Sequence, residues 1–216
     1  MKLYVLPPSP RAFKVLALKN HLGLECELQI VNLARDDHLT PEYGSLNPNR
    51  KMPVLEDDGF VLWESNAILF YLASKKPESG LWPSNHKGQA DVLRWLSWES
   101  AHWDSQAVGA VGFEKVSRMV LRLGPPEASH IARGEQEYLR FAEVLNGHLK
   151  GRKWLVDESL TIADFSIGAW IPMLEPLGLP VAPYPEMTRW YRELESLPGW
   201  QSALSAVAEA RAQLAA

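Results

Sequence analysis

A single cysteine, Cys26, is all the thiol this 216-residue chain contains. An intramolecular disulfide framework is therefore excluded, and a reducing compartment is expected. Basic runs are missing too. Lys plus Arg total 22 against 26 Asp plus Glu, a formal charge of −4, which argues against nucleic acid or an anionic membrane as partner. No apolar run is long enough to span a bilayer, and Met1 leads straight into KLYVL without a secretory leader. The expected location is cytoplasmic. No internal repeat stands out, and the only biased tract is an Ala-rich tail of ordinary helix-former composition. What is present is a large apolar fraction, 46 %, with nine tryptophans, enough for one large or two small domains. Most of those indoles suit a bulky core; lining a site for flat apolar ligands is the second reading.

The first third alternates strand and helix patterns. Residues 2–6 read as a buried strand, and 10–22 as a helix closed by Gly23. Residues 27–32 read as a second strand, followed by a loop over 33–50 with at most one helical turn. Residues 53–56 and 60–63 form a hairpin across Asp57-Asp58-Gly59, and 66–74 a helix. Strand-helix-strand followed by strand-strand-helix makes a small mixed sheet with helices, the order of a thioredoxin-like domain. The stretch KKPESGLWPSNH then reads as a linker, and beyond it strand signals vanish. The expected organisation is a thioredoxin-like domain over 1–75, a linker over 76–86 and an all-α domain over 87–216.

One segment asks for a ligand. NPNRKMPVLEDDGFVLWESNAI sets Pro53 at the head of a strand and puts Glu64 beside Ser65 where a helix opens. An X-Pro bond takes the cis form at little cost, but proline is also a permitted first residue of an ordinary strand. Ser65 suits an N-cap, and a helix N-terminus also attracts anions. Ser9 with Pro10 likewise matches a preferred helix start.

With Ser9-Pro10-Arg11-Ala12-Phe13-Lys14-Val15 at the first helix, the MPVL…WES segment, and Ser159-Leu160-Thr161-Ile162-Ala163-Asp164-Phe165 further on, the whole chain resembles the cytosolic glutathione transferases, of Ser type and tau-, phi- or theta-like. The resemblance implies that glutathione is a co-substrate lying along the sheet rim as an added strand. Met52 before a cis Pro53 would pair with its cysteinyl part, Ser65 would bind the γ-glutamyl carboxylate and Glu64 the ammonium. Lys51 would hold the glycyl carboxylate. His38 is a further candidate there, although Leu39 departs from the lysine that often follows it. Ser9 would be catalytic, donating a hydrogen bond that favours the thiolate over the thiol. Serine at that position, with Cys26 read as a small buried hydrophobe, disfavours disulfide exchange. Tyr4, inside the first strand, reads as packing.

Thr161 and Asp164 form a capping box assigned to folding. In the helical domain Trp95, Trp98 and His102 share one stripe, and Trp103 lies on another. His102, Trp103 and Phe113, with Phe13 from the first domain, are candidates for the wall of a pocket for a hydrophobic electrophile. No metal is expected, and the resemblance implies a homodimer. Peroxidase, isomerase or dehalogenase activity with glutathione is an alternative, as is a non-catalytic binding or assembly module.

Overall fold

The computed structural model describes residues 1–215, with side chains through 212. The chain divides into two compact units: Met1–Ser79 together with the segment from Glu195 onward, and Gly80–Leu194. The terminal segment thus groups with the sheet, where the sequence reading had placed it with the helical domain.

The first unit holds a four-stranded sheet of order β2-β1-β3-β4, with β1 Lys2–Val5, β2 Glu27–Ile30, β3 Val54–Asp57 and β4 Phe60–Trp63. β1 runs parallel to β2 and antiparallel to β3, and β4 is antiparallel to β3. The expected hairpin joins β3 to β4: Asp58 and Gly59 both have positive φ, 54° and 84°, as a two-residue loop of this hand requires. The helices of this unit are α1 Pro10–His21, α2 Pro41–Leu46 and α3 Ser65–Ser74. Residues 33–50 are therefore more ordered than a loop, with two short 3-10 turns before α2. α1 is buried on most of its circumference because it packs against both α3 and the terminal helix, Pro198–Ala215. Leu3, Val5, Val15, Leu55, Ile68, Leu69 and Leu72 are fully buried and form the heart of the unit. Phe13 packs edge-on against Trp200, ring centroids 4.9 Å apart.

The second unit contains α4 His86–Trp98, α5 Val108–Gly112, α6 Arg118–Val120, α7 Ala128–Leu149, α8 Ile162–Gly168, α9 Ile171–Leu174 and most of α10 Pro185–Glu195; the terminal helix is α11. One long helix was expected over 87–123. It is instead interrupted by π-helical segments at Glu99–Ala107 and Phe113–Ser117. The core of this unit is aromatic. Trp98 stacks on Trp103 at 5.6 Å, and Trp103 meets Tyr138 at 5.6 Å. Buried Glu99 accepts a 2.7 Å hydrogen bond from Trp170 Nε1. Among the described residues no helix is long and apolar enough to cross a membrane.

Candidate functional site

Strand register brings the singled-out residues of the first unit to one end of the sheet. Val5 pairs with Ile30, Tyr4 with Val54 and Val54 with Trp63. The chain leaving β1 therefore reaches Ser9 at the same end at which β2 leads toward His38, Lys51 and Met52 enter β3, and β4 runs out into Glu64 and Ser65. Four separate stretches converge through topology alone.

Ser9 precedes α1 with extended backbone (φ −74°, ψ 129°), and its C=O accepts from Phe13 N–H at 2.8 Å. Its hydroxyl does not cap the helix. The N-cap position is occupied as expected, but the capping bond is not made. The half-buried hydroxyl makes no hydrogen bond among the described residues, so its proton is available to a bound group. Five residues on, Lys14 is buried and its Nζ donates to Asn66 Oδ1 at 2.8 Å, tying the second turn of α1 to the first turn of α3.

The helix opening at Ser65 differs from the expectation by one residue. Glu64 occupies the N-cap position, and Ser65 begins the helix. Glu64 has φ 71° and ψ 112°, a region in which a non-glycine residue is strained by roughly 1–3 kcal/mol. Such strain persists where the surroundings over-determine it and clusters at ligand clamps. The Glu64 side chain is exposed and unpaired among the described residues, and Ser65, 9 % exposed, makes no hydrogen bond among them. A free carboxylate and a free hydroxyl at the start of a ten-residue helix form a two-sign recognition point, able to take an ammonium and a carboxylate together.

The Met52–Pro53 peptide bond is cis. β3 pairing begins at Val54, so the Met52 backbone lies beyond the ladder. Lys51 is exposed and has no ion-pair partner among the described residues. His38 is not the solvated loop residue that its setting suggests: it is 8 % exposed, and its Nδ1 is buried without a partner. Its carbonyl accepts from Arg50 Nη1 at 3.2 Å. Sequence reasoning missed Tyr43, Asn47 and Asn66, which position this end of the sheet.

The candidates for a second-substrate wall separate. Phe13 is 4 % exposed and Trp103 is fully buried, so both are core residues. His102 is half-buried, its ring 5.1 Å from that of Phe141 and its Nδ1 3.2 Å from Gln106 Nε2. Phe113 is open to solvent, at the head of a run that also exposes Val116, Met119 and Val120.

Two further polar clusters are structural. Asp164 is fully buried and takes four donors: Leu155 N–H at 3.0 Å and Trp190 Nε1 at 2.9 Å on Oδ1, and Thr161 N–H at 2.9 Å and Oγ1 at 3.1 Å on Oδ2. Burial pushes its pKa up from 3.8 to about 6, against the pull of those donors. Glu114, Glu127 and His130 bring three metal-ligand-type atoms within 4.8 Å of one another. Arg118 already reaches Glu114 at 3.6 Å and Glu127 at 3.1 Å, while Glu114 accepts the Glu127 N–H at 2.9 Å. The cluster thus has its cation and anchors the start of α7.

A mixed four-stranded sheet followed by a helical unit, with an open sheet end that offers a hydroxyl, a carboxylate and an unpaired strand entrance, defines a thioredoxin-like, two-unit class. Residues 1–74 match the family "Glutathione S-transferase, N-terminal domain" and residues 114–198 match "Glutathione S-transferase, C-terminal domain". Glutathione S-transferase 3 of Zea mays is 32 % identical over 96 % of this chain and 94 % of its own length. The glutathione transferase URE2P5 of Phanerochaete chrysosporium superposes with a TM-score of 0.90 at 30 % identity, over 100 % of this chain and 97 % of that one. URE2P6 of the same fungus, solved in complex with oxidized glutathione, gives 0.86 at 26 % identity, covering 97 % and 96 %. The chain belongs to the glutathione S-transferase family.

Proposed function

We propose that the chain is a glutathione transferase that binds glutathione across the open end of its sheet, ionises the thiol beside Ser9 and transfers the sulfur to a hydrophobic electrophile. The observation that carries this reading is the uncommitted Ser9 hydroxyl at the mouth of β1, held at the same sheet end as the free Glu64 and Ser65 side chains. Glutathione has the matching chemistry: an ammonium and carboxylate for Glu64 and Ser65, a peptide for the Met52 backbone, and a terminal carboxylate for Lys51, with His38 alongside. A hydroxyl donating to sulfur favours the charged form and so raises the thiolate fraction at neutral pH. No metal is assigned a part.

Of the wall candidates, Phe113 keeps its apolar side chain open, with Val116, Met119 and Val120 after it, whereas Trp103 and Phe13 are buried and are withdrawn. We also read the protein as a cytoplasmic homodimer, with exposed Leu93, Leu139 and Val144 on α4 and α7 as candidate contacts. Sedimentation equilibrium should give about twice the chain mass of 24.3 kDa; a monomer at micromolar concentration would remove that assignment.

Retention on immobilised glutathione tests the ligand. The wild type should be retained, and Glu64→Ala and Ser65→Ala should each weaken binding by about 10- to 100-fold, the range for losing a hydrogen bond to a charged group. A folded wild type that flows through would leave a glutathione-free scaffold as the better reading.

A further inference from the structure

One main-chain carbonyl at the strand entrance receives two side-chain donors. The Tyr43 hydroxyl donates to the Lys51 oxygen at 2.9 Å, and Asn47 Nδ2 donates to the same oxygen at 2.7 Å. Both donors are buried, Tyr43 to 5 % and Asn47 to 2 % exposure. Asn47 is held on every polar atom. Its N–H donates to the Tyr43 carbonyl at 3.0 Å, its carbonyl accepts from Arg50 N–H at 2.9 Å, and its Oδ1 accepts from Asn49 N–H at 2.9 Å and Nδ2 at 3.1 Å. Arg50, with φ 53°, sends Nη1 to the carbonyls of His38 and Thr40 and closes the turn. Tyr43 packs edge-on against Tyr4 of β1, ring centroids 6.2 Å apart, and burial holds its phenol above the usual pKa, so it stays a donor. This is more bracing than a surface turn needs for its own sake.

A trans peptide points its C=O and its N–H in opposite directions. The Lys51–Met52 bond is trans; the neighbouring Met52–Pro53 bond is the one cis bond among the described residues. Holding the Lys51 oxygen toward Tyr43 and Asn47 therefore turns the Met52 N–H to the other side of the peptide plane. No described residue accepts from that N–H. We propose that Tyr43 and Asn47 are positioning residues that aim the Met52 N–H at the central, cysteinyl carbonyl of the bound tripeptide. The assignment rests on the glutathione reading above and deepens it: affinity for the peptide depends on a clamp that never touches the ligand.

Calorimetric binding of two ligands tests it: glutathione, and an isostere in which a planar (E)-alkene replaces the cysteinyl-glycyl peptide bond and so removes the carbonyl. The wild type should prefer glutathione by about 10-fold, the worth of one good hydrogen bond. That preference should fall to about 3-fold in Tyr43→Phe and Asn47→Ala, and to near unity in the double variant. Damage that merely loosens the fold weakens both ligands alike and leaves the ratio intact. Tyr43→Phe keeps the ring and its packing, so it remains informative if Asn47→Ala folds poorly. An unchanged ratio in folded Tyr43→Phe and in the double variant overturns the clamp while leaving the glutathione reading standing. A wild type that binds neither ligand overturns that reading and the clamp with it.

Discussion

Ser9→Ala should lower kcat/KM with a chloronitrobenzene substrate by about 100-fold at pH 7, the scale for removing one donor from a developing anion. Glutathione affinity should change far less if, as proposed, the hydroxyl meets only the sulfur. The physical ground is the state of that hydroxyl: poised at the start of α1, it is not spent on capping the helix. Without it the bound thiol should titrate closer to the free cysteine value of about 8.5. The deficit is therefore largest at neutrality and narrows above that value, where the thiolate forms unaided. Activity measured from pH 6 to 10 in both proteins checks this. Coincident profiles would remove Ser9 from the chemistry.

Asp164→Ala should destabilise the helical unit by roughly 3–5 kcal/mol, since unpaired buried donors cost about 1–3 kcal/mol each and do not add fully. That is a large part of a typical stability. Four donors converge on this carboxyl, two from Thr161 and one each from Leu155 and Trp190, so more than a helix cap is lost. The same residue sets a pH dependence. Its folded pKa of about 6 lies above its ordinary 3.8, so the folded state binds more protons between those values. Stability contributed by this group is complete below about pH 4 and declines as pH rises to 6, by about 3 kcal/mol at 1.36 kcal/mol per unit. Asp57 and Glu114 act in the opposite sense. Lys75 and then Tyr71 hold Asp57 low, and the Glu127 N–H foremost holds Glu114 low, so their contributions vanish as pH falls. Denaturant midpoints at pH 4 and pH 7 for the wild type and Asp164→Asn separate the two. The wild-type advantage over the variant should be greater at pH 4; an equal advantage at both pH values would contradict the raised pKa.

Local signals carried much of this molecule. The short strand segments, the Asp58-Gly59 turn and the Thr161-x-x-Asp164 box each act within a few residues, and each stands within two residues of where the sequence put it. Ser9, Met52, Glu64 and Ser65 were legible as a set because two short motifs name them. What stayed hidden depends on partners far along the chain. Phe13 looks like a pocket residue until Trp200, far beyond it in sequence, covers it. The π-helical segments at 99–107 and 113–117 depart from the 3.6-residue period that marked a continuous helix. Lys14 is buried against Asn66 of α3, a partner that no local signal names. The strained Glu64 backbone leaves no trace in residue type, because nothing in a glutamate side chain marks a positive φ.

The return of α11 to the first unit has a consequence for biosynthesis. Gly199 sits so close to the His21 backbone that a Cβ there would collide with it, and Trp200 completes the cover over Phe13. The hydroxyl-bearing helix therefore gains its last layer only when residues near 200 leave the ribosome. A nascent chain stalled before that point should expose α1 to chaperones and proteases, even though every residue of the sheet has already been translated.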